Sequence, residues 1–245
     1  MNWSQRSAWI IGASTGIGAS LAQQLASLGC DVTISARSEE TLKEVSQGKM
    51  TVRACDMQDL EGLRTIASDL NAHGKLDLVV IAAGYWKQDQ DLEFNRVEFE
   101  RHLDVNLRGV GNVLDAVLPA MRERNSGQIA VLSSVAGYRG MPGALAYGST
   151  KAAQINLFEA LRTTYRGTGV KFQTVSPGFV ETPMTATNTF PMPFIIDADT
   201  AAKYIVKGLA SNKPEIVFPG KMAFVMRLAK LVPQRLWLRL VGKKK

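Results

Sequence analysis

The sequence predicts an α/β protein built on a doubly wound parallel sheet. Short apolar runs that fit strands alternate along the chain with longer stretches of helical periodicity. One run, residues 78–81, is continuously apolar, as in strands that are buried on both faces of a parallel sheet. A glycine-rich turn joins the first strand to the first helix. In such a sheet, ligands bind outside the carboxyl ends of the strands.

The elements follow one another in a regular order. Strands are expected at residues 8–11, 32–35, 51–54, 78–81, 128–132, 170–175 and 215–218. Helices are expected after Gly18, from Ser38, from Asp59 to about 70, over about 99–122, from Tyr147 to about 165, and over about 200–209. Ser38 and Asp59 are of the residue types that cap helix N-termini.

Composition indicates one large core and argues against a secreted, a membrane-spanning or a metal-binding protein. The 245 residues are 46% hydrophobic, and no Pro-, Gly- or Ser-rich linker divides them. We expect no signal segment and no membrane-spanning run. Cys30 and Cys55 fit a reducing, cytoplasmic location, and neither the cysteines nor the two histidines have the spacing of metal ligands, so no metal is expected.

The positive charge is concentrated at one end of the chain. The net charge is +7, yet residues 221–245 hold eight Lys or Arg and no acid, which leaves 21 basic and 22 acidic side chains in residues 1–220. We therefore expect a dinucleotide-binding and catalytic domain over 1–220 and a helical extension over 221–245. No nucleic-acid partner is expected, because no reading motif accompanies the basic residues.

Tyr147 and Lys151 are the first candidates for chemistry. They lie four residues apart, so a helix that begins near Tyr147 places both on one face. A cation close to a phenol favours the phenolate and lowers the phenol pKa, which makes a tyrosine a usable general acid or base. Taken alone, the pair is more simply explained as a packing tyrosine and a solvated lysine.

The glycine turn is the second candidate. Gly12, Gly16 and Gly18 follow the pattern G-x-x-x-G-x-G between a strand and a helix. Glycines let a backbone approach a pyrophosphate closely while the positive end of the helix faces it. An ordinary glycine-rich turn before a helix is the alternative for this motif alone.

Taken together, these motifs resemble the short-chain dehydrogenase/reductase family in its compact single-domain branch. The motifs occur in the family's order and spacing over nearly the whole chain: the glycine run 12–18, Asp56, Ala83-Gly84, Asn106, Ser133-Ser134, the Tyr147-x-x-x-Lys151 pair, and Pro177-Gly178 with Thr182. The resemblance implies a Rossmann-type fold, a nicotinamide cofactor, ketone reduction or the reverse oxidation, and a homodimer or homotetramer.

The resemblance also implies roles for four catalytic residues. Tyr147 would donate a proton in ketone reduction and accept it in alcohol oxidation, and Lys151 would lower the Tyr147 pKa and bind the nicotinamide ribose. Ser134 would hydrogen-bond the substrate oxygen. Asn106 would open a helix locally to hold a water in the proton relay, or would only satisfy a helix kink. Ser133 is expected to be structural.

For the cofactor, the expected contacts are Gly12, Ser14, Thr15, Gly16, Ile17, Gly18, Arg37, Asp56, Met57, Ala83, Gly84, Tyr147, Lys151, Pro177, Gly178, Val180 and Thr182. Asp56 either contacts the adenine ring or accepts a hydrogen bond in a turn. The second strand ends with Ala36 where the acid of an NAD enzyme is expected, and Arg37 follows it. An arginine there accommodates a 2′-phosphate, so we predict NADP(H).

Two features concern the substrate side. Ala82 stands where the family commonly has Asn, which predicts a small loss of local hydrogen bonding. Residues 183–196 are rich in Met, Phe and Pro, which fits a mobile lid over an apolar substrate or a loop that packs on its own domain.

Taken together, the catalytic and cofactor residues predict an NADP(H)-dependent oxidoreductase. A non-catalytic nucleotide-binding regulator is the alternative, although it would not need Asn106, Ser134, Tyr147 and Lys151.

The C-terminal extension predicts two short amphipathic helices separated near Pro233. Met222, Val225, Met226 and Ala229 keep helical spacing in the first, and Leu236, Trp237, Leu240 and Val241 oppose Arg235 and Arg239 in the second. The apolar sides either lie on an anionic membrane, at its inner face, or cover the protein's own domain or a partner subunit.

Overall fold

The computed structural model describes residues 2–72, 74–89 and 94–241. The strands are β1 (Ser7–Ile11), β2 (Asp31–Ser35), β3 (Thr51–Val52), β4 (Leu76–Ile81), β5 (Gly127–Leu132), β6 (Val170–Pro177), β7 (Val180–Glu181), β8 (Ile196–Asp197) and β9 (Glu215–Phe218). Seven of them form one parallel sheet in the order β3-β2-β1-β4-β5-β6-β9, and β7 pairs with β8. The predicted doubly wound sheet is confirmed.

The helices also follow the predicted order. They are α1 (Gly16–Ser27), α2 (Glu39–Ser46), α3 (Leu60–Ala72), α4 (Arg96–Leu103), α5 (Gly109–Glu123), α6 (Leu145–Thr164), α7 (Ala198–Leu209), α8 (Gly220–Leu231) and α9 (Gln234–Val241). A π-helical turn, Asp104–Arg108, joins α4 to α5, so one helical stretch runs from residue 96 to 123. It begins three residues earlier than predicted because the Asn95 side chain caps it.

Each face of the sheet is covered by helices and a hydrophobic core. Along β1, Ala8 and Ile10 belong to one core, and Trp9 and Ile11 to the other. This alternation follows from the two-residue period of a strand. In β4, every residue from Leu78 to Ile81 is fully buried, as the continuously apolar run predicts.

The chain reverses its winding between β1 and β4. β2 and β3 lie on one side of β1, and β5, β6 and β9 lie beyond β4 on the other. Helices diverge at such a switch point and leave a cleft at the carboxyl ends of the strands. At this position the N–H groups of Ala82 and Ala83 both donate to the carbonyl oxygen of Ile11, at 2.8 and 2.9 Å. The backbone therefore joins the two central strands at the position where Ala82 replaces the usual Asn.

The tail forms the two predicted helices, and α8 packs on the domain. Met222, Met226 and Ala229 are buried against Val135 and Tyr138. The prediction that an apolar side covers the protein's own domain is thus confirmed for this side of α8. Val225 keeps the same helical spacing but lies at the edge of that side and is 48% exposed, so it does not share the burial. Within the described ranges, no helix has both the length and the apolar content needed to cross a membrane.

Candidate active site

A cleft of about 950 Å³ lies at the carboxyl ends of β1, β2, β4, β5 and β6. Every residue that the family resemblance implies for cofactor binding lines it, from the glycine turn at 12–18 to Thr182. Ser134 lines it as well, whereas Asn106 lies behind its wall with no exposed surface. The tertiary structure thus brings together residues that are separated by up to 170 positions in the chain.

The glycine turn has the geometry of a phosphate cradle. Gly12 has a φ of +91°, and a Cβ atom there would lie 2.2 Å from the Ala83 nitrogen. A Cβ on Gly18 would lie 2.1 Å from the Gly12 carbonyl oxygen. Larger residues are therefore excluded at both positions. Because α1 begins at Gly16, the positive end of its dipole lies at the cleft, and the turn fits the pyrophosphate of a dinucleotide.

Tyr147 and Ser134 meet at one end of the cleft, which we call the substrate end because the family resemblance expects the substrate oxygen beside these two residues. Tyr147 lies in the first turn of α6, whose start is held by a hydrogen bond from the Leu145 N–H to the Asp89 carboxylate, at 2.6 Å. Ser134 follows β5, and its hydroxyl accepts a hydrogen bond from the Ala136 N–H, at 3.1 Å. Burial raises the pKa of Tyr147 to about 12, and a hydrogen bond with Ser134 opposes that rise. The phenol is therefore protonated at neutral pH.

Lys151 lies one helical turn further on and is almost completely buried. Its ammonium donates to the carbonyl oxygen of Leu132, at 2.8 Å, and to Oε1 of Gln154, at 3.2 Å. The Nζ atom is 5.4 Å from the centre of the Tyr147 ring. Burial lowers the pKa of Lys151 to about 7.

Two effects act on the pKa of Tyr147: burial raises it, and the hydrogen bond with Ser134 lowers it. The lowering of that pKa by Lys151 stays a prediction. Burial disfavours the phenolate of Tyr147 and the ammonium of Lys151 alike.

Asn106 occupies the π-helical turn, as the local opening of the helix predicts. Its side chain accepts from the Tyr85 N–H at 2.7 Å and donates to the Tyr85 carbonyl at 2.9 Å and to the Thr150 hydroxyl at 3.1 Å. Asn106 therefore ties the segment after β4 to α6. The kink-satisfying interpretation has direct support, and the two interpretations are compatible.

Gln154 is a site residue that sequence reasoning missed. It is fully buried, and its Nε2 atom donates to the carbonyl oxygen of Asn106 at 2.6 Å while its Oε1 atom accepts from Lys151. A sequence signal was present, since Gln154 follows Lys151 by three residues and therefore lies on the same helix face.

Trp86 forms an aromatic wall beside Tyr147 and was also missed. The two ring centres are 4.8 Å apart in an edge-on arrangement. The indole N–H donates to the side-chain oxygen of Asn188, at 2.8 Å, and Asn188 belongs to the apolar segment 183–196. Segment 183–196 thus reaches the substrate end of the cleft, and Met184 and Phe194 are among its exposed apolar side chains.

Arg37 lies at the adenine end of the cleft, directly after β2. It is exposed and lines the cleft together with Ser38 and Thr41. Asp56 lines the same region, and its carboxylate accepts a hydrogen bond from the Gln58 N–H at 2.9 Å. The turn interpretation of Asp56 therefore has direct support, and Asp56 also lies beside the adenine end.

Ser133 is structural, because its buried hydroxyl donates to the carbonyl oxygen of Lys151.

Comparisons with known proteins agree with this geometry. The short chain dehydrogenase family model matches residues 6–191. An uncharacterized oxidoreductase of Myxococcus xanthus is 36% identical over an alignment of 247 positions, and the alignment covers 96% of this chain and 95% of that protein.

Solved structures show the same fold. A short-chain dehydrogenase from Streptomyces avermitilis has a TM-score of 0.83 at 26% identity, over 96% of this chain and 94% of that one. A short chain dehydrogenase from Burkholderia cenocepacia, solved in complex with NADP, has a TM-score of 0.88 at 22% identity, over all of both chains. This chain belongs to the short-chain dehydrogenase/reductase family of oxidoreductases.

Proposed function

We propose that this protein uses NADP(H) to interconvert a carbonyl and a secondary alcohol on an apolar substrate. The observation that carries the proposal is the group formed by Tyr147, Ser134 and Lys151 at one end of a dinucleotide-sized cleft. A non-catalytic regulator would need the cleft and the glycine turn but not this group.

Each residue has a defined task in the reduction. The nicotinamide supplies the hydride when it is bound. Tyr147, which is protonated at neutral pH, donates its phenolic proton to the substrate oxygen. The Ser134 hydroxyl donates a hydrogen bond to the same oxygen as negative charge develops there. Lys151 holds the ribose hydroxyls, and Asn106 and Gln154 keep Lys151 and α6 in place.

The proposed preference for NADP(H) rests on Arg37. No acid stands at position 36 to accept a ribose hydroxyl, and Arg37 offers a guanidinium to a 2′-phosphate. The NADP bound to the Burkholderia cenocepacia protein supports this choice. Arg37→Ala is expected to raise KM for NADPH on the order of 10-fold to 100-fold, as the loss of a charge-assisted hydrogen bond implies.

The test of coenzyme choice needs two comparisons. KM for NADH should change little in Arg37→Ala, because that coenzyme has no 2′-phosphate. Arg53→Ala is a matched control, since Arg53 is exposed, lies outside the cleft and pairs with Asp69. Equal effects of Arg37→Ala on both coenzymes would rule out the phosphate contact.

An apolar substrate is proposed from the walls of the substrate end. Trp86 and the Met- and Phe-rich segment 183–196 border the space next to Tyr147. Long-chain, isoprenoid or steroid-like carbonyls fit such walls better than sugars or acids. The proposal includes a homodimer or homotetramer, and a cytoplasmic enzyme that contacts the inner face of a membrane through its tail.

The function is tested by a panel of ketones and aldehydes with NADPH, followed by nicotinamide absorbance. Tyr147→Phe should lower kcat at least about 100-fold while leaving the Kd of NADPH unchanged, because the phenolic proton is needed only for chemistry. Tyr204→Phe, at an exposed tyrosine of α7, is the matched control and should behave as wild type. Retention of most of kcat by Tyr147→Phe would refute the assignment.

A further inference from the structure

Helix α8 has apolar residues on two opposite sides, and only one side is covered. Met222, Met226 and Ala229 form the buried side at spacings of four and three residues. Phe224, Leu228 and Leu231 repeat that spacing two positions later, which is about 200° further around the helix. Their exposed fractions are 64%, 49% and 80%. A helix that is apolar on both sides is normally buried on both sides.

Helix α9 adds further exposed leucines. Leu236, Leu238 and Leu240 are 47%, 60% and 65% exposed, and no residue of α9 is buried. Trp237 holds the helix to the domain, because its indole N–H donates to the carbonyl of Gly140 at 2.9 Å and the Arg139 guanidinium lies over its ring. Leu236 and Leu240 lie one turn apart on one side of α9, whereas Leu238 lies on the opposite side. We call five exposed residues of α8 and α9 the outer apolar face: Phe224, Leu228, Leu231, Leu236 and Leu240.

The charged side chains of α8 and α9 are all positive. Residues 221–241 include five cations and no acid: Lys221, Arg227, Lys230, Arg235 and Arg239. Among the described residues, none of the five makes an ion pair within 4.0 Å. Lys230 and Lys221 instead lie over the rings of Tyr138 and Phe194. An apolar surface that has Arg227, Arg235 and Arg239 beside it is complementary to an anionic, apolar partner.

We propose that the outer apolar face docks on an anionic lipid surface, with its leucines among the acyl chains and its cations at the headgroups. A second copy of this chain is a poorer occupant, since two-fold pairing through this face would bring the two sets of cations together. The remainder of the chain, residues 1–220, is nearly neutral and offers no strong counter-charge. The inference develops the membrane contact included in the proposed function, and because the surface lies outside the cleft it rests on no step of the proposed reaction.

The test uses the full chain, because α8 supports the active site. The Met222 side chain lies against Gly178, where a Cβ would approach it to 2.7 Å, and Gly178 lines the cleft. Truncation would therefore disturb the fold. We use instead the triple variant Phe224→Gln, Leu228→Gln and Leu231→Gln, which leaves the buried side of α8 intact.

Co-sedimentation with phosphatidylglycerol vesicles at low salt measures the partition coefficient, and phosphatidylcholine vesicles measure the neutral background. The wild-type protein should pellet with the first and not with the second, and high salt should release it. The triple variant should partition on the order of 100-fold less. Arg235→Gln with Arg239→Gln should reduce partition roughly 30-fold, about fivefold for each cation.

Matched controls are available on other surfaces. Lys203→Gln with Lys207→Gln removes two exposed cations from α7, and Leu28→Gln removes a leucine that is 47% exposed. Both should bind like wild type. If wild type stays in the supernatant with anionic vesicles at low salt, the proposal is overturned. If the triple variant keeps its lipid binding but loses an oligomer in analytical ultracentrifugation, the face is an interface between copies, and the proposal is equally overturned.

Discussion

The buried ammonium of Lys151 should make the stability of this protein rise with pH, and Lys151→Met should remove that dependence. Burial lowers the pKa of Lys151 from 10.5 to about 7 in the folded protein. In the unfolded chain the same amine is solvated, with a pKa of about 10.4. Between these two values the unfolded chain binds more protons than the folded chain, so the free energy of unfolding increases with pH.

The magnitude follows from the two pKa values. From pH 7 to pH 9, the Lys151 contribution should raise the free energy of unfolding by about 2 kcal/mol. The Lys151 contribution should level off below pH 7, and it should reach its full size near the pKa of lysine in the unfolded chain. Cys30, whose pKa burial raises from 9.0 to about 12, acts in the opposite direction as pH rises past 9. Since Cys30 is present in both proteins, its effect cancels in the difference.

Urea unfolding at pH 7, 8 and 9 measures this difference. Methionine keeps the length of the buried stem. Lys151→Met also deprives the Leu132 carbonyl of its donor, but that loss is the same at every pH, so only the slope is diagnostic. Lys203→Met is the control and should keep the wild-type slope, because an exposed lysine is solvated both before and after folding. Parallel pH dependences of wild type and Lys151→Met would refute the argument.

Three further predictions concern residues around the site. Ser134→Ala should lower kcat on the order of 100-fold to 1,000-fold, the usual loss when an oxyanion donor is removed; a loss confined to KM would contradict that role. Gln154→Leu removes the side-chain donor of the Asn106 carbonyl, so we expect the free energy of unfolding to fall by about 2 kcal/mol, or Tm to fall by about 4–8 °C in calorimetry. An unchanged Tm would show that the Gln154 contact is dispensable. Trp86→Phe removes the hydrogen bond to Asn188 but keeps an aromatic ring beside Tyr147, so KM for apolar ketones should rise severalfold with little change in kcat. Asn188→Ala should do the same, and strictly additive effects in the double variant would show that the two residues act separately.

Local patterns predicted most of the fold. The apolar runs placed the strands of the large sheet, and β9 has the predicted limits of 215 and 218. Ser38 and Asp59 cap α2 and α3 through hydrogen bonds to the N–H groups of Thr41 and Gly62, as their residue types predict. β3 is shorter than predicted, although the N–H group of Arg53 still donates to Ile34 in β2 and that of Cys55 donates to Ala36, the residue after β2.

The two missed residues share a physical reason. Gln154 and Trp86 act through partners that are 48 and 102 positions away in the chain. A side-chain amide in a helix or an indole after a strand carries no local signal of such a partner. Their roles appear only when the π-helical turn and segment 183–196 have been placed in space.

By itself, the sequence determined the order of strands and helices, the glycine turn and the helical spacing of Tyr147 and Lys151, because these depend on neighbours within about one or two turns. Only the tertiary structure decided the protonation of the site. Packing of α6 against β5 and the π-helical turn removes water from both side chains, which raises the Tyr147 pKa and lowers that of Lys151. It also decided which side of the tail covers the domain and which side faces outward, since both sides of α8 are apolar in sequence and only one meets Val135 and Tyr138.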